Sequence, residues 1–234
     1  MNRQVIIDRR FCGPPDSGNG GYVAGLLAGR IEGAAQVTLR RPPPLGVAMD
    51  VTAEDDGAWA LKSSGELVAL TRAATLDIEV PAAPSFHDAR NAVKSYRGFS
   101  DHPFPGCFVC GPERDEGDGM RLFPSPIGDD GMVAATWTPD GSFVGDAGTV
   151  RPEFLWAVLD CPGFFAVTAP DQAAVLGTMT AHLERPVKAG ARCIVIGWPT
   201  GRDGRKLYCG TALFTETGEL IAKANHVWIS VGRQ

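Results

Sequence analysis

The chain has 234 residues, 44% of them hydrophobic and 21% charged, which is enough for one or two ordinary domains with a real core. Its net charge of −5 and the absence of any Lys/Arg-rich run speak against nucleic acid as the main partner. No apolar stretch reaches the roughly 18 residues of a membrane span, and the polar start MNRQVIIDRR lacks a signal-peptide pattern, so the expectation is a soluble cytoplasmic protein with no membrane insertion.

A strand is predicted over 4–9, then a turn rich in Gly and Pro (CGPPDSGNGG), then a helix in YVAGLLAGRI. Asn19 is a good N-cap for that helix, and Leu26, Leu27 and Ile31 follow Tyr22 and Val23 at near-helical spacing. Strands are predicted over 35–40, 47–53, 58–62 and 67–80, punctuated by Pro42-Pro43-Pro44, Asp56-Gly57 and Ser64-Gly65. Residues 81–106 read as a connection with a short helix near 91–96. Beyond it come strands over 120–124 and 132–138, a helix over 150–167, and four long strands over 174–184, 191–199, 206–215 and 220–231.

The plan is stated twice. VTLRRPPPLG from Val37 is answered by TAHLERPVKAG from Thr180, and SSGELVALTRA from Ser63 by ETGELIAKANH from Glu216. The Arg-Pro pairs at 41–42 and 185–186 set a shift of 144 residues. The Gly pair 65 and 218 sets 153, so the second copy has gained about nine residues, expected in the Gly-rich stretch near Thr200 to Arg205. So large a period predicts two homologous modules, 1–80 and 107–234, joined by a linker over 81–106, each an α+β unit in which a helix is covered by a curved antiparallel sheet.

Six cysteines in a chain this long do not make a disulfide scaffold. Only Cys107-Phe108-Val109-Cys110 has metal-like spacing, and no second close pair of Cys or His stands near it, with His102 alone in reach. The reading is a turn of packed free thiols, with no metal and no cofactor.

CFVCGPERDEGDGMRLF is similar to the Cys-x-x-Cys-Gly-Pro…Gly-x-x-Leu segment of many hotdog-fold thioesterase-like proteins. GNGGYVAGLLA resembles their His-Gly-Gly-opened central helix, with Asn19 where His is usual, and the Arg-Pro pair ending a strand after the helix is also similar. The resemblance covers most of the chain. It implies a double hotdog, two tandem modules forming an intramolecular pseudo-dimer, each helix wrapped by its own sheet. It also implies an acyl-CoA or related thioester as substrate, an acyl tunnel along the helix–helix interface, and coenzyme A at the surface. Pairing of two such chains into a homodimer stays open.

A helix that starts Asn19-Gly20-Gly21 presents free backbone N–H groups and the positive end of its dipole. Without Cβ atoms at Gly20 and Gly21 a carbonyl can approach, which suits an oxyanion site as well as a tight turn. In the second helix Phe154 to Leu159 is apolar all round, so Asp160 is expected beside a dry environment that raises its pKa and fits it to act as base or nucleophile. The resemblance to phenylacetyl-CoA-type thioesterases, which carry an Asp seven residues beyond the second Gly, implies Asp160 as the catalytic carboxylate when Glu153 is aligned with that Gly. Pro162, close behind, is expected to end or kink the helix.

By the same count the first helix has Ala28 instead of a carboxylate, while the second opens on Arg151-Pro152-Glu153, which offers no N–H at Pro152 and a repelling charge at Glu153. Family dimers face the opening of one helix with the carboxylate of the other. The resemblance thus implies one competent site, Asn19, Gly20 and Gly21 with Asp160, and one dead one. Tyr22 and Trp156 are candidates to line an acyl cavity, with Phe154 and Phe164 beside them. Arg185 and Arg192, with Lys188, are candidates for coenzyme A phosphates. A non-catalytic acyl-CoA or lipid binder, and an enoyl-CoA hydratase using His182 or His226, remain as other readings.

Overall fold

The structure is a computed structural model and describes residues 3–232. In chain order its elements are β1 (Arg3–Ile6), α1 (Gly20–Ala28), β2 (Ala35–Leu39), β3 (Ala48–Ala53), β4 (Trp59–Ser63), β5 (Glu66–Ala73), α2 (Phe86–Ala92), β6 (Ser125–Pro126), β7 (Val133–Trp137), α3 (Pro152–Val167), β8 (Ala173–Leu183), β9 (Cys193–Asp203), β10 (Lys206–Thr215) and β11 (Leu220–Val231). All strands join one antiparallel sheet in the order β1-β3-β4-β5-β2-β8-β11-β10-β9-β7-β6.

The expectation of a separate sheet around each helix is therefore corrected. β2 and β8 pair with each other and fuse the halves, with Gln36 opposite Thr180 and Val37 opposite Met179. Gln36 and Thr180 are equivalent under the 144-residue shift, and Gln36 Nε2 donates to Thr180 Oγ1 at 3.3 Å. Left alone, each strand would be an edge with unpaired amides and carbonyls; paired, each covers the other.

Elsewhere the elements track the sequence with shifts that have local causes. α2 lies over 86–92 rather than 91–96, because Ser85 caps it through Oγ, which accepts from the Asp88 amide at 3.1 Å. No strand forms over 120–124; the amides of Met120 and Leu122 bond instead to the carbonyls of Phe108 and Val109, both at 2.8 Å, clamping the Cys-x-x-Cys turn. The strand predicted over 67–80 ends at Ala73. The extra residues near Thr200 to Arg205 lengthen the β9–β10 hairpin, which turns at Gly204 and Arg205 with Gly204 at φ +56°.

α1 is shorter than expected, nine residues against sixteen for α3. Pro162 does not end α3, which runs on to Val167. A proline inside a helix, which removes a hydrogen bond and clashes with the preceding turn, costs about 3 kcal/mol, but Phe164 and Phe165 beyond it are buried, and burying one such ring returns about 1.5–3 kcal/mol. The helix also sits tightly on the sheet: a Cβ on Gly197 would lie 2.4 Å from the Pro162 carbonyl oxygen, and one on Gly163 would lie 2.8 Å from Cys209 Sγ.

α1 and α3 pack against each other in opposite directions over the middle of the sheet. Gly21 of α1 lies against Trp156 and Asp160 of α3, and Gly25 lies against Glu153 and Trp156. An aromatic cluster of Phe11, Tyr22, Phe108, Phe143 and Phe154 fills the space at the start of α1, with Phe11 stacked on Tyr22 at 4.3 Å.

Candidate active site

The site is assembled at the first turn of α1. Asn19 adopts φ −58° and ψ 130°, and its Oδ1 accepts the Tyr22 amide at 2.9 Å, which satisfies one of the unpaired donors of the helix start. The same side chain reaches across with Nδ2 to donate to Asp160 Oδ2 at 2.9 Å. The Gly21 amide donates to that same oxygen, also at 2.9 Å. Gly21 has to be glycine for this approach, since a Cβ there would lie 2.5 Å from the Asp160 Cβ and 2.7 Å from the Trp156 carbonyl oxygen.

Asp160 is 2% exposed, and its second oxygen, Oδ1, has no hydrogen-bond partner among the described residues. Burial pushes its pKa up to about 7; the Gly21 amide opposes the rise, Cys107 adds to it, and Asn19 again opposes it. One oxygen is thus clamped by two donors while the other stays unspent. Chemically this is a carboxyl group poised between its two protonation states with one free lone-pair face.

Three sulfurs stand beside it. Cys107 and Cys110 come from the clamped turn, and Cys161 directly follows Asp160 in α3; all three are buried, unbridged, and have sulfurs within 4.8 Å of one another. Cys107 and Cys161 are 4.0 Å apart, and Asn19 Nδ2 is 4.0 Å from Cys107 Sγ. Hydrogen bonds from Cys110 and Cys161 hold the Cys107 thiol well below its ordinary range, whereas burial drives Cys110 and Cys161 up. His102 Nε2 lies 3.3 Å from Cys110 Sγ, and burial lowers the pKa of His102. Sequence spacing alone did not connect Cys161 to the pair; the available signal was its place next to Asp160 on a helix apolar on all sides.

The other candidates part company with this cluster. Gly20 packs beneath Leu176 and Leu39, where a Cβ would be 3.0 and 3.3 Å away. Tyr22 is wedged into the aromatic cluster and its hydroxyl is pushed up to about 12 by burial. Trp156 is buried with its Cβ close to Gly25 in the helix contact. Arg185 pairs with Glu219 at 3.4 Å, and Arg192 pairs with Glu216 at 2.8 Å while lying over Phe86; neither contacts the Asp160 cluster. His226 is buried with Nε2 against Thr211 Oγ1 at 2.8 Å, and burial lowers its pKa to about 3.

Where an acyl tunnel was expected, α1 and α3 meet closely. Gly21 and Gly25 are in backbone-level contact with α3, and Tyr22 and Trp156 are both buried. An open cleft of about 580 Å³ lies elsewhere, between Ala83, Pro84, Ile127, Asp130 and Met132.

No protein-family model and no curated protein matches the chain. Among solved structures, the fold is similar to that of a protein from Novosphingobium aromaticivorans assigned as a thioesterase, at 13% identity and a TM-score of 0.66 over 99% of this chain and 96% of that one. It is similar as well to a protein from Thermobifida fusca assigned as a thioesterase II, at 14% identity and 0.62 over 98% and 92% of the two chains. The tesB protein of Mycobacterium avium subsp. paratuberculosis gives 14% and 0.60 over 92% and 87%. The helices laid over one antiparallel sheet and these whole-length likenesses agree: this chain shares the fold of these three proteins, which fits the expected hotdog architecture.

Proposed function

We propose that the protein hydrolyses acyl thioesters of the acyl-CoA kind at a single site formed by Asn19, Gly21 and Asp160, with residues 1–80 and 107–234 acting as two hotdog modules joined by 81–106. The observation that carries the reading is the convergence of a helix-start amide, the Asn19 amide group and a buried carboxyl on one point, with one carboxyl oxygen left without a partner among the described residues. In the reaction Asp160 takes a proton from water as the water oxygen attacks the thioester carbonyl. The tetrahedral oxyanion is held at the α1 start, the C–S bond breaks, and the proton passes to the departing sulfur, leaving a carboxylic acid and a thiol. Gly21 N–H is bonded to Asp160 without substrate, so the carbonyl must displace the carboxylate from that amide as it arrives.

A second reading, a binder of acyl-CoA or lipid without hydrolysis, is favoured by one observation: the α1–α3 contact is closed over Asp160. The deciding experiment is thiol release from short, long and aromatic acyl-CoA thioesters, with Asp160→Asn beside the wild type. Hydrolysis that disappears in the variant supports the enzyme. Silence across the panel, with ligand binding retained in both proteins, overturns it in favour of the binder.

A further inference from the structure

We propose that Cys107, Cys110 and Cys161 form a binding site for a thiophilic divalent metal ion of the zinc type. Two separate segments deliver the three sulfurs to one point, with all pairs within 4.8 Å. Zn–S bonds of about 2.3 Å at tetrahedral angles place sulfurs about 3.8 Å apart. Cys107 and Cys161, at 4.0 Å, already stand near that spacing, and the remaining pairs need to close by no more than about 1 Å.

The turn that presents two of the sulfurs is held as a metal-binding turn is held. Gly111 N donates to the Cys107 carbonyl at 2.9 Å. A Cβ on Gly111 would fall 2.4 Å from the Pro105 carbonyl oxygen and 2.5 Å from the Cys107 nitrogen, so only glycine lets the turn close. The amides of Met120 and Leu122 fix the intervening Phe108 and Val109 from the other side. A buried set of thiols has no need of so rigid a frame, because packing alone is satisfied by any small apolar group.

His102 takes the role of a supporting group rather than a ligand. Its Nδ1 accepts the Phe104 amide at 2.9 Å, so neutral His102 carries its proton on Nε2, which points at Cys110 Sγ. An N–H bonded to a ligand sulfur stabilises negative charge that three thiolates and one divalent ion leave in excess. Three protein ligands then leave the fourth tetrahedral position to a ligand from outside the chain, such as water. The ion would tie the loop over 107–111 to the middle of α3, one residue from Asp160.

The test uses full-length protein, reduced and stripped with chelator, then titrated with Co2+ under inert gas and back-titrated with Zn2+. The expected result is a near-ultraviolet thiolate-to-cobalt charge-transfer band that saturates at one ion per chain and is abolished by Zn2+. Cys107→Ser, Cys110→Ser and Cys161→Ser should each weaken cobalt binding by at least about a hundredfold, and His102→Ala by about ten- to a hundredfold with stoichiometry kept. Cys193→Ser and Cys209→Ser should leave the band unchanged. Reduced wild-type protein that gives no saturable band overturns the proposal, and so does a band that Cys161→Ser leaves at full strength. Since the wild type decides first, a variant that fails to fold leaves the answer intact. The readout is the metal itself, so it is separate from whether thioesters are hydrolysed.

Discussion

α1 and α3 lie against each other in opposite directions, yet their two starts are built for different purposes. α1 opens on Asn19, capped through its own side chain, and offers the Gly21 amide to Asp160. α3 opens on Arg151 with no side-chain cap; Pro152 has no N–H, and Glu153 Oε1 pairs with Arg151 Nε at 3.4 Å. Close approach is needed at both places, through Gly21 at one and Gly25 at the other. Only the first converts that closeness into directed donors facing a buried acid. The helix pair thus has close packing at both places and the directed polar arrangement at one.

The strongest way to break this distinction is Asp160→Asn, which keeps the shape and one acceptor but removes the base. Turnover of a thioester hydrolysed by the wild type should fall by about 10²–10⁴, with the melting curve retained; unchanged turnover would remove Asp160 from the mechanism. Gly21→Ala and Gly25→Ala come next. Each pushes a methyl group into α3, 2.5 Å from the Asp160 Cβ in one case and from the Glu153 Cα in the other, and each should cost about 1–3 kcal/mol in chemical unfolding. The comparison survives if turnover of the folded fraction drops much further for Gly21→Ala; equal drops would make both glycines mere spacers.

Asn19 allows a finer separation because it does two jobs. Asn19→Ala loses the cap and the bond to Asp160, and should destabilise by about 1 kcal/mol from the cap alone. Asn19→Ser restores a capping oxygen but cannot reach Asp160 as the amide does, so it should recover stability in thermal unfolding without recovering turnover. Recovery of both by Ser would show that the bond to Asp160 is incidental.

Much of this was legible in the chain because it is local. The Asn19 cap, the Gly-Gly start and the bareness of Arg151-Pro152-Glu153 depend on residues adjacent in sequence, and the repeat supplied the comparison between them. What failed to show was non-local. Nothing in the alternation of Ala35–Leu39 says that its neighbour will be Ala173–Leu183, since a strand pattern encodes which face is buried and not which strand lies beside it. Cys161 was hidden from Cys107 and Cys110 for a similar reason: metal-like spacing is a property of short segments, whereas this sulfur arrives on a helix. The burial of Tyr22 and Trp156 was legible, but not what they face, because a large apolar side chain reads the same whether it lines a space or fills it. The helix over 150–167 was legible despite Pro162, whose local backbone cost is offset by the burial of Phe164 and Phe165 beyond it.

The smallest expected effect tests the silent end of the helix pair. Glu153 has its side chain 13% exposed, but its partner Arg151 is 43% exposed and also lies over the Phe154 ring at 4.6 Å, so the arginine has a resting place without the acid. Glu153→Gln keeps the size and removes the charge, and partly solvated pairs of this kind contribute about 0–1 kcal/mol. The variant should therefore unfold close to the wild-type midpoint and turn over substrate at an essentially unchanged rate. A large loss of turnover would mean that this end of α3 communicates with the chemistry after all, and that the two helix starts act as one unit. A gain would point the other way, to an anion at α3 that repels the substrate, and would place a ligand path along the side of the pair read here as inert.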